Sequence, residues 1–579
     1  MTTTAASRAP AASWPTGWHA VVDHLEHAGV TTVFGLPADD LGLLTALDPT
    51  GIRLVLCRDQ RNAVFMATGH ALQSGRPAVC VVGKGPAVTN TMTGLLEATA
   101  SAVPLVVLAA GTAVERRGSG AFQELDQLAV VAPLVKWAAR VDHPSRLVPT
   151  LEKAFLVATS GAPGPVYVEV PDHLLTAPVE QTRPWAAHVS AAFPADIRVT
   201  THALDAVRAA QRPVVLVGGG MRHGGGGPAV ECLAARLGAP VFATASGRGT
   251  VNEDSALFCG LAGLYSPPEM AELWRTTDLV IALGSRLEET ATLLPGFAPA
   301  HVPVVQVNVD PAEFSAEWTG SRVLGDAAGV VAAWSDALGE GCPDPDVGWV
   351  AAVLASRAAL FARGAAERKA AEASGALTVP QVLTAMDRLA PPSRVLVQEN
   401  GLADMWSYFF PRWSCHAEGG SVVPSEQTSL GFGAAAAAGV ALAAPGRRVV
   451  ALVGDGAFGM VRGDLQTLVD EGIAVLYVVL ANGGYGWLQS QADALATPMT
   501  RFRFVRDTPE LGAGLPAAVW SAVVRDRSAL DGVLVGALAA CEAGLVAVVE
   551  VPVQLSDAAL ADAHPGGDFP TAGAGGAPC

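Results

Sequence analysis

Residues 448–486, RVVALVGDGAFGMVRGDLQTLVDEGIAVLYVVLANGGYG, constrain the fold more than any other stretch. The apolar run Val449 to Val453 reads as a buried strand that breaks at Gly454-Asp455-Gly456. Leu465, Leu468 and Val469 then fall at helical spacing, and a second apolar run follows from Ile473 to Leu480. Strand, helix and strand in that order predict a βαβ unit, whose right-handed crossover leaves its strands parallel and, as neighbours, about 4.8 Å apart. Asp455 and Asn482 then share the carboxyl edge of one sheet, where open α/β sheets bind ligands. A carboxylate, a side-chain amide and loop carbonyls are hard oxygen donors of the kind Mg²⁺ takes, with room left for phosphate oxygens and water. A bare GDG also marks a tight turn after a strand. The interval of 27 residues from Asp455 to Asn482, joining two strand ends, favours the site.

Composition narrows the classes. At 579 residues, half of them apolar and 16% charged, the chain has room for three or four domains and a large core. A formal charge of −17 with no basic tract argues against nucleic acid as a partner. Eight cysteines without a C-x-x-C pair indicate neither a zinc site nor a disulfide framework, and fit a reducing cytosol. The N-terminal MTTTAASRAPAASWPTG lacks the apolar core of a signal peptide, and the Ala-rich run 433–444 is too short to span a bilayer. A cytoplasmic protein with no membrane association is expected.

The alternation of strand and helix recurs along the chain. Residues 1–14 and 556–579 read as disordered ends. Trp18–Ala28 is helical up to Gly29, and the strand Thr31–Phe34 meets Gly35-Leu36-Pro37. VYVEVP, 166–171, closes a first domain, 15–180. In a central domain, 199–344, PVVLVGGG (213–220), APVFAT (239–244), DLVIALGSR (278–286) and PVVQVNVDP (303–311) are strands between helices. Its glycines at 218–220 and 224–227 do not fit G-x-G-x-x-G. A helical linker, 345–376, leads to a third domain, 377–555. The expected fold class is α/β, three domains of doubly wound, mainly parallel sheets.

GDG with Asn482 at that spacing resembles the diphosphate-binding motif of thiamin diphosphate (ThDP) enzymes, in their acetolactate synthase-like branch. The three domains then correspond to pyrimidine-binding, central and diphosphate-binding domains. The resemblance implies Asp455 and Asn482 as Mg²⁺ ligands, with the carbonyl of Gly484 as the third protein ligand, and cofactor contacts from Gly454, Gly456, Ala457 and Tyr485. Ala481 stands where the family usually has a first Asn. AGVTTVFGLPADDLGLLTAL resembles the opening of the family's pyrimidine-binding domain.

CRDQRNAVFMATGHALQSGRPAVCVVGKGPAVTN, Cys57 to Asn90, lines up without a gap on the family's His-Glu-Gln, Ala-rich helix and Gly-Pro-Gly-Ala-Thr-Asn pattern. The alignment puts Gln60 at the catalytic glutamate, Asp59 at the His and Arg61 at the Gln, with Pro86 beside the cofactor. In the family, that glutamate protonates N1′ of the aminopyrimidine and so activates thiazolium C2. A glutamine can hydrogen-bond N1′ but cannot exchange a proton with it. Losing one positioned acid–base group typically costs about 10²–10⁴ in rate. Three readings follow: slow activation with competent later steps, Asp59 reaching N1′ instead, or a chain that binds ThDP without turnover.

GSGAFQELDQ, 118–127, resembles the family's Ala-Phe-Gln-Glu loop, which implies Phe122 and Gln123 in the active site. Lys84 replaces the usual Ser; it suits solvent or an anionic substrate. Gly401 is followed by Leu402-Ala403 where the family offers Gln-His to the diphosphate, so two polar contacts are expected to be lost. In EQTSLGFG, Leu430 takes the place of the apolar residue that props ThDP into its V shape. The branch holds a non-catalytic FAD through an arginine-rich phrase in the central domain; GSRLEETATL departs from it, and FAD is not predicted. Trp487–Met499 corresponds to a mobile cover over the site.

The resemblance implies ThDP- and Mg²⁺-dependent carbon–carbon chemistry: decarboxylation of a small-molecule 2-oxo acid and transfer of the acyl carbanion to an aldehyde or 2-oxo acid acceptor. Two alternatives are a non-oxidative 2-oxo acid decarboxylase and a catalytically silent ThDP-binding subunit. Active sites shared between subunits imply a homodimer or homotetramer.

Overall fold

The computed structural model describes residues 13–36, 41–180, 185, 197–339, 344–374, 377–401, 404–416, 420–494, 501, 503–504 and 511–554. It carries three six-stranded sheets, each parallel throughout, on two compact units. The expected α/β class with three doubly wound sheets is what the chain adopts.

Unit 1 comprises residues 1–191, 427–445 and 463–472. Strands β1 (Ser13–Trp14) and β8 (Val179–Glu180) form an antiparallel ribbon. Residues 13 and 14 are therefore ordered, a correction to the tail read as far as residue 14. Between them lie β2 (Thr32–Leu36), β3 (Arg53–Leu56), β4 (Ala78–Val82), β5 (Leu105–Gly111), β6 (Trp137–Arg140) and β7 (Val166–Pro171), in the order β3-β2-β4-β5-β7-β6. The order reverses between β2 and β4, which makes their carboxyl ends a topological switch point.

Two stretches read from the sequence as parts of the third domain belong to unit 1. The helix Phe432–Ala443, with Ala434 to Ala438 fully buried, packs on the helix Gln60–Ser74. Small residues allow their backbones to touch: a Cβ at Gly69 would come within 2.4 Å of the Ala436 carbonyl oxygen, and one at Gly439 within 1.7 Å of that of Met66. Residues 463–472 are held by Asn62 Nδ2 and the Arg58 amide, which donate to Asp464 at 2.8 and 2.7 Å, and by an Arg53–Glu471 ion pair at 2.8 Å. Burial raises the Asp464 pKa, against those two hydrogen bonds. Because neither helix can retreat without opening the core, Gly439→Ala is expected to cost about 1–3 kcal/mol. Chemical denaturation measures this, and an unchanged midpoint would mean the helices do not meet this closely in solution.

Unit 2 comprises residues 192–426, 446–462 and 473–579. Its central sheet has β9 (Pro213–Val217), β10 (Val241–Ala243), β11 (Phe258–Leu261), β12 (Leu279–Leu283), β13 (Val304–Asn308) and β14 (Arg322–Leu324), in the order β11-β10-β9-β12-β13-β14. Its second sheet has β15 (Val395–Gln398), β16 (Ser421–Val422), β17 (Val449–Gly454), β18 (Leu476–Ala481), β19 (Trp520–Val523) and β20 (Ala547–Pro552), in the order β16-β15-β17-β18-β20-β19. The switch point lies between β15 and β17. The linker is one helix, Val347–Ser374. By length and composition it could cross a membrane, but Trp349, Val353 and Leu360 are buried in the core of the unit, and Arg357 and Arg363 reach the Phe258 carbonyl and Glu269.

Candidate active site

On unit 2, β17 and β18 are hydrogen-bonded neighbours, with Gly454 opposite Leu480. Gly454 ends β17, and Asp455, Gly456 and Ala457 open the helix Asp455–Val461. Asn482 follows the last residue of β18. The two strand ends place Asp455 and Asn482 on one loop cluster: Asp455 Oδ2 accepts from the Gly483 amide at 2.9 Å, and Asn482 Oδ1 from the Gly484 amide at 3.2 Å. A bridge from Gly484 to Arg503 uses the Gly483 carbonyl, which accepts from the Phe504 amide at 2.8 Å. Tyr485 is half exposed and meets Phe504 edge-on, ring centroids 5.2 Å apart. Gly401 lies beyond β15; Leu402 and Ala403 fall outside the described residues, as do Met499 and much of the expected cover.

Beside this edge, Gln398 is pinned on both sides of its amide. Its Nε2 donates to Ser407 Oγ at 2.6 Å, and its Oε1 accepts from Ser421 Oγ at 2.9 Å.

On unit 1, a cleft of about 700 Å³ opens at the switch point between β2 and β4. Gln60, Lys84, Pro86, Phe122 and Gln123 all line it, so stretches some 60 residues apart meet there. Gln60 is the first residue of its helix, and its Oε1 accepts from Asn90 Nδ2 at 2.8 Å. Asp59 is the N-cap. Its Oδ1 accepts from the amides of Arg61 and Asn62 at 2.8 and 3.2 Å, which turns the carboxylate back onto the helix. Phe122 is 71% exposed.

Gln123 adopts φ +56°, a conformation uncommon outside glycine, and lies against Gly85, where a Cβ would come within 2.7 Å of the Gln123 carbonyl oxygen. The reason for this close fit is Gln127, for which the sequence pattern implies no role. Its Oε1 accepts from the Gly85 amide at 2.7 Å, and its Nε2 donates to the Ala110 carbonyl and Tyr167 Oη, both at 3.0 Å.

Lys84 is ion-paired with Asp172 in the cleft wall, with 18% of its side chain exposed, and is not a solvated surface charge. Asp172 and the neighbouring His173, which also lines the cleft, were not anticipated. Leu430 is half exposed and sits between Thr428 and Gly431, both at positive φ. The fully buried Glu97 fixes that loop by accepting from the Ser429 amide at 3.1 Å. A lone Glu inside the apolar helix Met92–Ala100 was the available signal, since carboxylates are rarely buried without a partner.

Descriptions of thiamine pyrophosphate enzymes match the chain three times: the N-terminal TPP binding domain over residues 15–130, the central domain over 200–334 and the C-terminal TPP binding domain over 399–563. The chain belongs to the thiamine pyrophosphate enzyme family. It is 32% identical over 483 residues to a probable 2-ketoarginine decarboxylase of Pseudomonas aeruginosa, covering 81% of this chain and 82% of that protein. It is 29% identical over 490 residues to the acetolactate synthase large subunit of Corynebacterium glutamicum, covering 82% and 76%. A solved structure, the thiamine diphosphate-dependent 4-hydroxybenzoylformate decarboxylase of Rhodococcus jostii, superposes with a TM-score of 0.76 at 23% identity, over 93% of this chain and 99% of that one. That likeness speaks for the fold.

The residues present fit the family's cofactor in kind. Asp455, Asn482 and a loop carbonyl offer hard oxygens for a divalent cation carrying a diphosphate. Gly456 leaves space, since among the described residues a Cβ there would meet only Phe504 Cζ at 3.7 Å.

Proposed function

We propose that this thiamine pyrophosphate family enzyme uses ThDP and Mg²⁺ to decarboxylate a small 2-oxo acid and to join the acyl unit to an aldehyde or a second 2-oxo acid. The observation that carries the reading is the adjacency of Asp455 and Asn482 on neighbouring parallel strand ends. Bound ThDP would supply a thiazolium that accepts the electron pair released as carbon dioxide leaves. Asp455, Asn482 and the Gly484 carbonyl would hold Mg²⁺; Gly401, Gly454, Gly456, Ala457 and Tyr485 would contact the diphosphate end. Pro86 would pack at the other end, Leu430 would support the bent cofactor, and Gln60 would hydrogen-bond N1′ without moving a proton. Gln123 would offer an amide to a substrate carboxylate or carbonyl, with Phe122 lining the same cleft. A homodimer or homotetramer with shared sites, in the cytoplasm, completes this reading.

Simple decarboxylation is the second reading, favoured by the similarity to the probable 2-ketoarginine decarboxylase. Product analysis with ThDP, Mg²⁺ and a panel of 2-oxo acids, with and without aldehydes, separates them: new carbon–carbon bonds support ligation, and carbon dioxide with free aldehyde alone supports decarboxylation. Asp455→Ala removes the one charged donor of the metal set. It is expected to weaken ThDP binding in the presence of Mg²⁺ by at least about 100-fold, at about 1.4 kcal/mol per factor of ten. Titration calorimetry measures this, and an unchanged affinity would remove Asp455 from the site.

A further inference from the structure

A second cavity, of about 200 Å³, lies on unit 2 among the linker helix Val347–Ser374, the start of the helix Val379–Leu389 and the turn Asp404–Tyr408. None of the site residues above lines it.

Gln381 is its distinctive polar group. Its Oε1 is committed to the capping box, accepting from the Thr378 amide at 3.0 Å, which fixes the amide plane. Its Nε2 is then buried with no hydrogen-bond partner among the described residues. An orphaned buried donor normally has a ligand or water to satisfy it.

The charges nearby say which ligand. Arg363 is paired with Glu269 and Glu367, and Arg412 with Glu367, its guanidinium 4.5 Å above the ring of Trp406. Arg368 also lines the cavity, and among the described residues it has neither an ion pair nor a hydrogen bond. Three guanidinium groups against two carboxylates leave a net positive charge; the buried Gln381 Nε2 requires an acceptor, and the exposed Arg368 can donate to the same one. Leu360, Pro380 and Trp406 supply an apolar wall. Gly364 keeps the helix face open, since among the described residues a Cβ there would meet only Arg368 Nη1 at 3.7 Å.

We propose that this cavity is an effector site for a small organic carboxylate with a compact apolar or aromatic body. Its carboxylate accepts from Gln381 Nε2 and Arg368, and its body lies against Trp406. The neighbouring Ser407 accepts from Gln398 at the end of β15, so the occupant bears on the edge of the sheet that carries Gly401 and Asp455.

Benzoate, titrated calorimetrically into the full chain without ThDP, tests the site independently of the proposed reaction. Saturable binding is expected, at least about 10-fold weaker in Arg368→Glu and in Gln381→Glu, with benzamide unable to compete. Gln381→Glu keeps the capping acceptor while replacing the donor, and Arg368 is on the surface, so both variants retain the fold. No saturation by about 20 mM benzoate, or equal affinity in wild type and both variants, would overturn the site. Hydrogen exchange reads the coupling: benzoate is expected to slow exchange across 398–408, and unchanged exchange there with benzoate bound would overturn the effector role.

Discussion

Gln60→Glu is expected to accelerate proton exchange at C2 of bound ThDP by about 10²–10⁴, the usual contribution of one positioned acid–base group. The geometry favours a clean substitution. Gln60 is the first residue of its helix, where a carboxylate is stabilised by about 0.3–1 kcal/mol. The new side chain keeps an oxygen for Asn90 Nδ2, which now donates to Gln60 Oε1 at 2.8 Å. Exchange is followed by quenched-flow deuterium incorporation at saturating ThDP. Gln60→Ala serves as the control: it would remove the proposed hydrogen bond to N1′ without adding a proton, and is expected to weaken binding with no gain in exchange. If Gln60→Glu leaves exchange unchanged, Gln60 does not face N1′. Asp59→Asn then becomes informative, because a fall in exchange would show Asp59 leaving the amides of Arg61 and Asn62 to act on the cofactor. With those two hydrogen bonds in place, Asp59→Asn is expected to have no effect on exchange.

The elements legible in the sequence were those whose pattern is set locally. β17 is an apolar run ended by Gly454 and β18 one that runs into Asn482-Gly483-Gly484, so their strands, parallel pairing and shared carboxyl edge could be read from residues 448–486 alone. The same holds for β9, β12 and β13, buried on both faces. Edge strands escaped: β14 alternates between buried and exposed over only three residues, and β6 has no fully buried residue, so neither gives a continuous apolar run. The grouping of 427–445 and 463–472 with unit 1 was also beyond reach. An Ala-rich helix shows that something packs closely on it, but which helix does so depends on Gly69 meeting Ala436 across more than 350 residues. At the site, Gln60, Pro86, Phe122 and Gln123 line one cleft, and Asp455 and Asn482 follow neighbouring strand ends. Gln127, Glu97 and Asp172, which hold them there, follow no local spacing rule.

The largest loss of stability is expected at a pair that the sequence does not single out. Arg248 and Glu253 are both fully buried. Arg248 Nε and Nη2 donate to Glu253 Oε1 and Oε2 at 2.9 and 2.7 Å, a bidentate pair, and Nη1 and Nη2 donate further to the carbonyls of Ser407 and Trp413 at 2.6 and 2.9 Å. Glu253 in turn accepts from the Cys415 amide at 2.8 Å. The network ties the segment after β10 to residues 407–415, which adjoin β15 and so the edge where the diphosphate is expected to bind. Glu253→Ala leaves a guanidinium buried without its counter-charge and is expected to cost about 3–5 kcal/mol. Converting both residues to apolar ones, Arg248→Met with Glu253→Leu, removes the orphan charge but still strands two carbonyls and an amide, at about 1–3 kcal/mol for each unsatisfied group. The double variant should therefore recover only part of the loss. Hydrogen exchange at the Cys415 amide, which reports local opening, is expected to lose protection by about 100-fold or more in Glu253→Ala. Retained protection there would mean that water or a rearranged carbonyl already shares the charge, and that the pair does not hold these segments together.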